Sequence, residues 1–246
     1  MNVSGEVTGR VSEKYNNIEY YFRLKKTNEA LAKQNEQLLN LLRQNYQGPD
    51  TTLKYFTDTL RIDSLTTIQR FKYYGATVVS SFVSNQNNYL TIHRGSKQGI
   101  PSTKEWGVIS PEGIVGRVVS VGENFSIVQS ALNRQFKVYS MLKKGGETGT
   151  VSWDGDNTQY LKLVNIPKSA KVEKGDTVLT STVSDIFPPG IMVGTVAEIV
   201  DDKSSNFFTL RLKTATNFSN LQFVYVLEDL QKGERQQLED AYKKTK

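Results

Sequence analysis

The chain has 246 residues, and its 31 Lys and Arg against 25 Asp and Glu give a formal charge of +6. That length suits one large domain, or two small ones with an extension. The absence of cysteine excludes disulfides and thiolate chemistry, and a lone histidine, His93, excludes a zinc site built from His and Cys.

Twelve Tyr, 11 Phe and 2 Trp can fill small cores, which a disordered chain could not. The basic residues are interspersed, densest at Lys143-Lys144 and at Lys168, Lys171 and Lys174. With no basic stripe, they read as a solvated mixed-charge surface, and nucleic acid is not expected as a partner. No apolar run reaches the roughly 18–20 residues needed to span a bilayer. No signal peptide is visible.

Residues 1–13 are polar and contain Gly5 and Gly9, so a flexible lead-in is expected. From Lys14 to Gln47 the pattern is helical. With Tyr21, Asn28, Asn35 and Leu42 at heptad position a, Leu24, Leu31 and Leu38 fall at position d. This is the seam of a parallel coiled coil. A buried Asn at a costs stability but pairs best with its own copy, which fixes register and favours two strands. The alternative is a lone amphipathic helix whose leucines pack on its own body. The seam spans only about 33 Å at 1.5 Å per residue, so it predicts a weak dimer unless a second link raises the effective concentration. Gly48-Pro49 is the expected stop.

Residues 48–72 read as a linker. Beyond them the chain becomes β-like, with 13 of the 18 glycines between Gly95 and Gly194. Strands are expected near 76–83, 89–93, 105–109, 113–121, 125–130, 136–142, 148–153, 159–166, 176–181, 191–200, 206–214 and 220–227. Many short strands with frequent turns and no long intervening helix mean barrels or sandwiches, not a parallel α/β sheet. The run Pro111-Glu112-Gly113-Ile114-Val115-Gly116-Arg117-Val118 recurs, with one insertion, as Pro188-Pro189-Gly190-Ile191-Met192-Val193-Gly194-Thr195-Val196. Two copies imply two small barrels of similar construction, with a bulge or close backbone approach at the strand glycines. Residues 228–246 read as a polar tail, either a frayed helix or disordered.

A search for chemistry returns little. A Ser-His-Asp arrangement would need His93, with Ser96 nearby, but no serine lies in a G-x-S-x-G elbow. Asp154 and Asp156 could share a cation, but Asp-Gly between two strands is first a turn signal. There is no phosphate-binding loop of either common type. Phe136-Lys137-Val138-Tyr139 could stack bases, though nothing else supports it. No catalytic, metal or cofactor residues are assigned.

The segments Asn87-Asn88-Tyr89-Leu90-Thr91-Ile92, Gly95-Ser96 with Gly99-Ile100, and Gly107-Val108-Ile109-Ser110-Pro111 occur in that order. They are followed by Gly113 to Val118, by Gly175-Asp176-Thr177-Val178-Leu179-Thr180-Ser181, and by Phe187-Pro188 leading to Gly190-Ile191 and Val193-Gly194. Their order and spacing resemble the extracytoplasmic part of the rod shape-determining protein MreC family, over roughly 14–227. The turn glycines Gly95, Gly99, Gly113, Gly116, Gly175, Gly190 and Gly194, with Asp176, carry the resemblance. A departure is the long 182–187 segment before Pro188-Pro189, where the family usually has a Gly soon after the Thr-Ser pair.

The resemblance implies a mainly β fold, with an N-terminal coiled-coil helix followed by two small six-stranded β-barrels. The first would cover 73–134 completed by 220–227, and the second 135–214. It implies a non-catalytic scaffold of the cell-wall elongation machinery, without cofactors, on the periplasmic side of the inner membrane behind a single N-terminal span. The implied partners are a second copy or higher self-assembly, a class B penicillin-binding transpeptidase, RodA, MreD and MreB. The competing reading is a periplasmic adaptor of an efflux or secretion pump, in which the helices form a hairpin that interrupts the β part.

Overall fold

The structure is a computed structural model that describes residues 3–42, 46–47, 68–82, 86–100 and 106–244. A first unit, residues 1–41, holds helix α1 (Val3–Leu41); a second, residues 42–246, holds the β-strands.

Helix α1 begins well before Lys14, so the expected flexible lead-in is helical from Val3. That stretch has no Pro, and a Gly inside a helix costs only about 1 kcal/mol against Ala. At the other end α1 stops at Leu41, short of Gln47. Tyr46 and Gln47 form strand β1 (Tyr46–Gln47) and pair with Gln69 and Ile68 of β2 (Ile68–Gln69). Backbone committed to that ladder cannot also continue the helix. The expected Gly48-Pro49 stop and most of the expected linker lie outside the described residues, and its last residues enter β2 and β3.

Twelve further strands build two closed antiparallel barrels of six strands each. The first comprises β3 (Phe71–Ser81), β4 (Asn87–His93), β5 (Gly107–Ile109), β6 (Ile114–Val121), β7 (Ser126–Asn133) and the last strand β14 (Phe223–Asp229). The second comprises β8 (Lys137–Leu142), β9 (Thr148–Ser152), β10 (Tyr160–Pro167), β11 (Thr177–Thr180), β12 (Met192–Val200) and β13 (Phe207–Thr214). Barrel 2 is therefore inserted in the sequence of barrel 1, between β7 and β14. Residues 134–136 lead into it and 215–222 lead out. Closure leaves no free sheet edge on either barrel.

Alternation places the cores. In β4 the side chains of Asn88, Leu90 and Ile92 point inward and those of Asn87, Tyr89 and His93 outward, as a period of two requires. Leu90, Ile92, Val108, Val118, Val128 and Val224 belong to the core of barrel 1, capped by Tyr74 and Trp106 with their rings stacked at 6.0 Å. Leu161, Leu163, Val178, Val196, Leu210 and Leu212 are buried in barrel 2. After β14 the polar tail is ordered as helix α2 (Lys232–Lys244), with Arg235 3.6 Å from Asp185.

The recurring sequence is a recurring structure. Gly116 of β6 lies opposite Val108 of β5 and Ser130 of β7. Gly194 of β12 lies opposite Val178 of β11 and Thr214 of β13. The register slips after Val108 and after Val178, and again after Val118 and after Val196. Each barrel thus contains the same three-stranded unit, bulged at the same places.

Candidate functional site

The sequence points to two groups of residues, the helix seam and the turn glycines. On α1, Leu24, Leu31 and Leu38 expose 45%, 50% and 61% of their surface, and Leu42, one residue past the helix, exposes 40%. Asn28 is half-buried and Asn35 exposed; nothing is described of the Tyr21 side chain. Leu24, Leu31 and Leu38 thus form an exposed apolar stripe on α1.

The turn glycines sit where a side chain would collide or the backbone turns left-handed. A Cβ on Gly116 would land on the Gln129 carbonyl oxygen, and one on Gly194 on the Lys213 carbonyl oxygen. Gly95 packs against the carbonyls of Gly122 and Glu123, and Gly113 against that of Met192. Gly99, Gly175 and Gly190 have φ near +90°, a region that favours glycine. Asp176 accepts a hydrogen bond from the Glu173 N–H at 2.8 Å and closes the turn before β11.

The residues weighed for chemistry are dispersed. His93 ends β4 on the outside of barrel 1, its ring 5.0 Å from Phe125. Ser96 begins a 3-10 turn. Asp154 and Asp156 flank Gly155 in the turn between β9 and β10, with Asp154 3.2 Å from the Lys162 ammonium. Burial pushes the Asp154 carboxyl up, yet the Asp156 N–H and Lys162 outweigh it and hold it below the ordinary aspartate value. Among the described residues no three His, Cys, Asp or Glu side chains cluster as a metal site would require. A polar cleft of about 350 Å³ runs along the exit from barrel 2, lined by Thr158, Gln159 and residues 213–219. Among the described residues its lining has one cation, Lys213, and no carboxylate or imidazole to pair with it for acid–base work.

Sequence reasoning missed the buried polar groups. Asn88 Nδ2 donates to the Leu132 carbonyl at 2.7 Å, and Gln129 Nε2 donates to Asn133 Oδ1 at 3.2 Å. Thr216 Oγ1 donates to the Ile114 carbonyl at 2.8 Å and lies 3.2 Å from Ser110 Oγ. These bonds satisfy groups that would be costly to bury alone, and the last pair ties the exit strand of barrel 2 to barrel 1. The phenol of Tyr73, also buried, is pushed up to about 12 by that burial and stays neutral.

The family described as "Rod shape-determining protein MreC, barrel core" matches residues 78–228, more than half of the sequence. The chain belongs to the MreC family. The cell shape-determining protein MreC of Listeria monocytogenes is 26% identical over 92% of this chain and 73% of its own length. The solved MreC structure from Listeria monocytogenes superposes with a TM-score of 0.59 at 24% identity, covering 93% of this chain and 95% of that one. MreC in a complex with penicillin-binding protein PBP2 from Helicobacter pylori gives a TM-score of 0.53 at 21% identity, over 65% of this chain and 99% of that one. These two likenesses share the twin-barrel fold. MreC proteins are described as determinants of cell shape, and a pump adaptor is not favoured, since among the described residues one helix, α1, precedes both barrels. No helix among the described residues is long and apolar enough to cross a membrane.

Proposed function

We propose that this chain is a non-catalytic scaffold of bacterial wall elongation, which pairs with a second copy through α1 and presents its barrels to wall-synthesis enzymes. Membership of the MreC family over the barrel region carries the reading. The exposed Leu24, Leu31 and Leu38 supply the stripe that a second helix would cover, and Asn28 and Asn35 would set its register. The Helicobacter pylori complex makes a class B penicillin-binding transpeptidase the first partner to test. RodA, MreD and MreB would be reached through the same assembly. The assembly would sit on the periplasmic face of the inner membrane, behind a single N-terminal span.

The test is binding of this chain to the periplasmic part of the class B transpeptidase from the same organism, followed by biolayer interferometry. Saturable binding that survives removal of residues 1–41 is expected. No binding by either form at high micromolar concentration would overturn the transpeptidase as partner.

A further inference from the structure

The connection between β11 and β12 runs through the long 182–187 segment and Pro188-Pro189. In the repeated unit it corresponds to the short β5–β6 turn at Ser110–Gly113, lengthened by the residues around 182–187. Those added residues are pinned in place. The Ser184 N–H donates to the Ser181 carbonyl at 3.2 Å, and the Phe187 N–H donates to Ser184 Oγ at 3.2 Å. Thr180 Oγ1 donates to the Pro188 carbonyl at 2.6 Å and accepts from the Ile191 N–H at 2.9 Å. Pro188 and Pro189 narrow the backbone further.

The pinned loop delivers one large side chain. Phe187 is 2% exposed, while Val183 on the same loop is 60% exposed. Phe187 is seated against Gly107, the first residue of β5 in the other barrel. A Cβ at position 107 would stand 2.7 Å from the Ile186 carbonyl oxygen and 2.8 Å from the Phe187 ring. Next to it Gly113 abuts the Met192 carbonyl and the Ala215 methyl, and Thr216 bonds to Ile114. The two copies of the repeated turn therefore face each other across the junction, and one of them carries a plug.

We infer that the 181–191 loop is a clamp that holds barrel 2 in one fixed orientation on barrel 1, with Phe187 as the plug and Gly107 as its seat. Barrel 2 is joined to barrel 1 by two chain crossings, at 134–136 and 215–222, and crossings alone would leave a hinge. The plug comes from a different strand pair, β11 and β12, so it restrains motion that the crossings permit. A scaffold whose two barrels move as one body loses less orientational freedom when a partner engages both. The exposed Asp185–Arg235 pair adds little, as surface ion pairs do.

The test is residual dipolar coupling of backbone amides in the full 246-residue chain, fitted separately for each barrel. The clamp predicts one alignment tensor shared by both barrels in the unmodified protein; two distinct tensors there would overturn it. Phe187→Ala and Gly107→Val, made on opposite barrels, are each expected to split the single tensor into two, and Phe187→Leu to restore one. If either variant keeps dispersed spectra and a single shared tensor, Phe187 is packing only and the clamp is refuted. Should Phe187→Ala disrupt barrel 2 itself, Gly107→Val decides alone, because its substitution lies in the other barrel.

Discussion

Leu163, inside barrel 2, is wholly buried, whereas Leu31 on α1 leaves half of its surface exposed. The two leucines mark two ways of meeting the same requirement. In the barrels every strand has two neighbours, so inward side chains are covered by the chain's own residues. The helix carries an apolar stripe of similar chemistry whose leucines are exposed. The barrels are closed within one copy, and a second copy is the proposed cover for the helix.

That contrast can be broken at either end. Leu163→Ala should lower the urea unfolding free energy by about 4 kcal/mol, the range for a large core truncation. Leu31→Ala should leave the barrel transition where it is and weaken only self-association. Equal losses from the two would abolish the distinction between self-covered and partner-covered leucines. Gly116→Val comes next, at about 3 kcal/mol, because its side chain would displace the Gln129 backbone within the ladder. Gly194→Val should cost about the same at the equivalent place in barrel 2, and a large inequality would argue against a shared unit. Thr216→Val leaves the Ile114 carbonyl without its donor and should cost about 2 kcal/mol in the same assay.

On the helix, Asn28→Val with Asn35→Val should raise the thermal midpoint seen by circular dichroism while losing strict two-strandedness in sedimentation. Unchanged order and unchanged midpoint together would remove those residues from the seam. The smallest effect is expected for Lys97→Gln. Its pair with Glu123 at 2.7 Å is solvent-exposed on both sides, and its loss should shift stability by less than about 0.5 kcal/mol.

Much of the fold was legible because β-barrels announce themselves by punctuation. Gly, Pro, Asn and Asp between β-branched runs marked all twelve barrel strands, and the Gly113–Val118 and Gly190–Val196 copies exposed the shared unit. Helix ends were less legible: α1 stops where Tyr46 and Gln47 enter a strand pair, a competition visible only once Ile68 and Gln69 are brought alongside. The junction was the least legible. Period-two alternation reports one buried face, but β7 is buried on both faces from Val128 to Asn133. Ser110 and Thr216 meet across 106 residues of sequence, and no local pattern encodes such a meeting. Phe187 looked like part of an over-long turn, because its seat, Gly107, lies in another barrel.

Helix α1 is the element proposed to bring copies together. Multi-angle light scattering at high micromolar concentration, on the full chain and on residues 42–246, tests this most directly. A dimer that dissociates on dilution is expected for the full chain, and a monomer for residues 42–246. Two monomers would contradict the helix seam, and two dimers of equal strength would place self-association in the barrels instead.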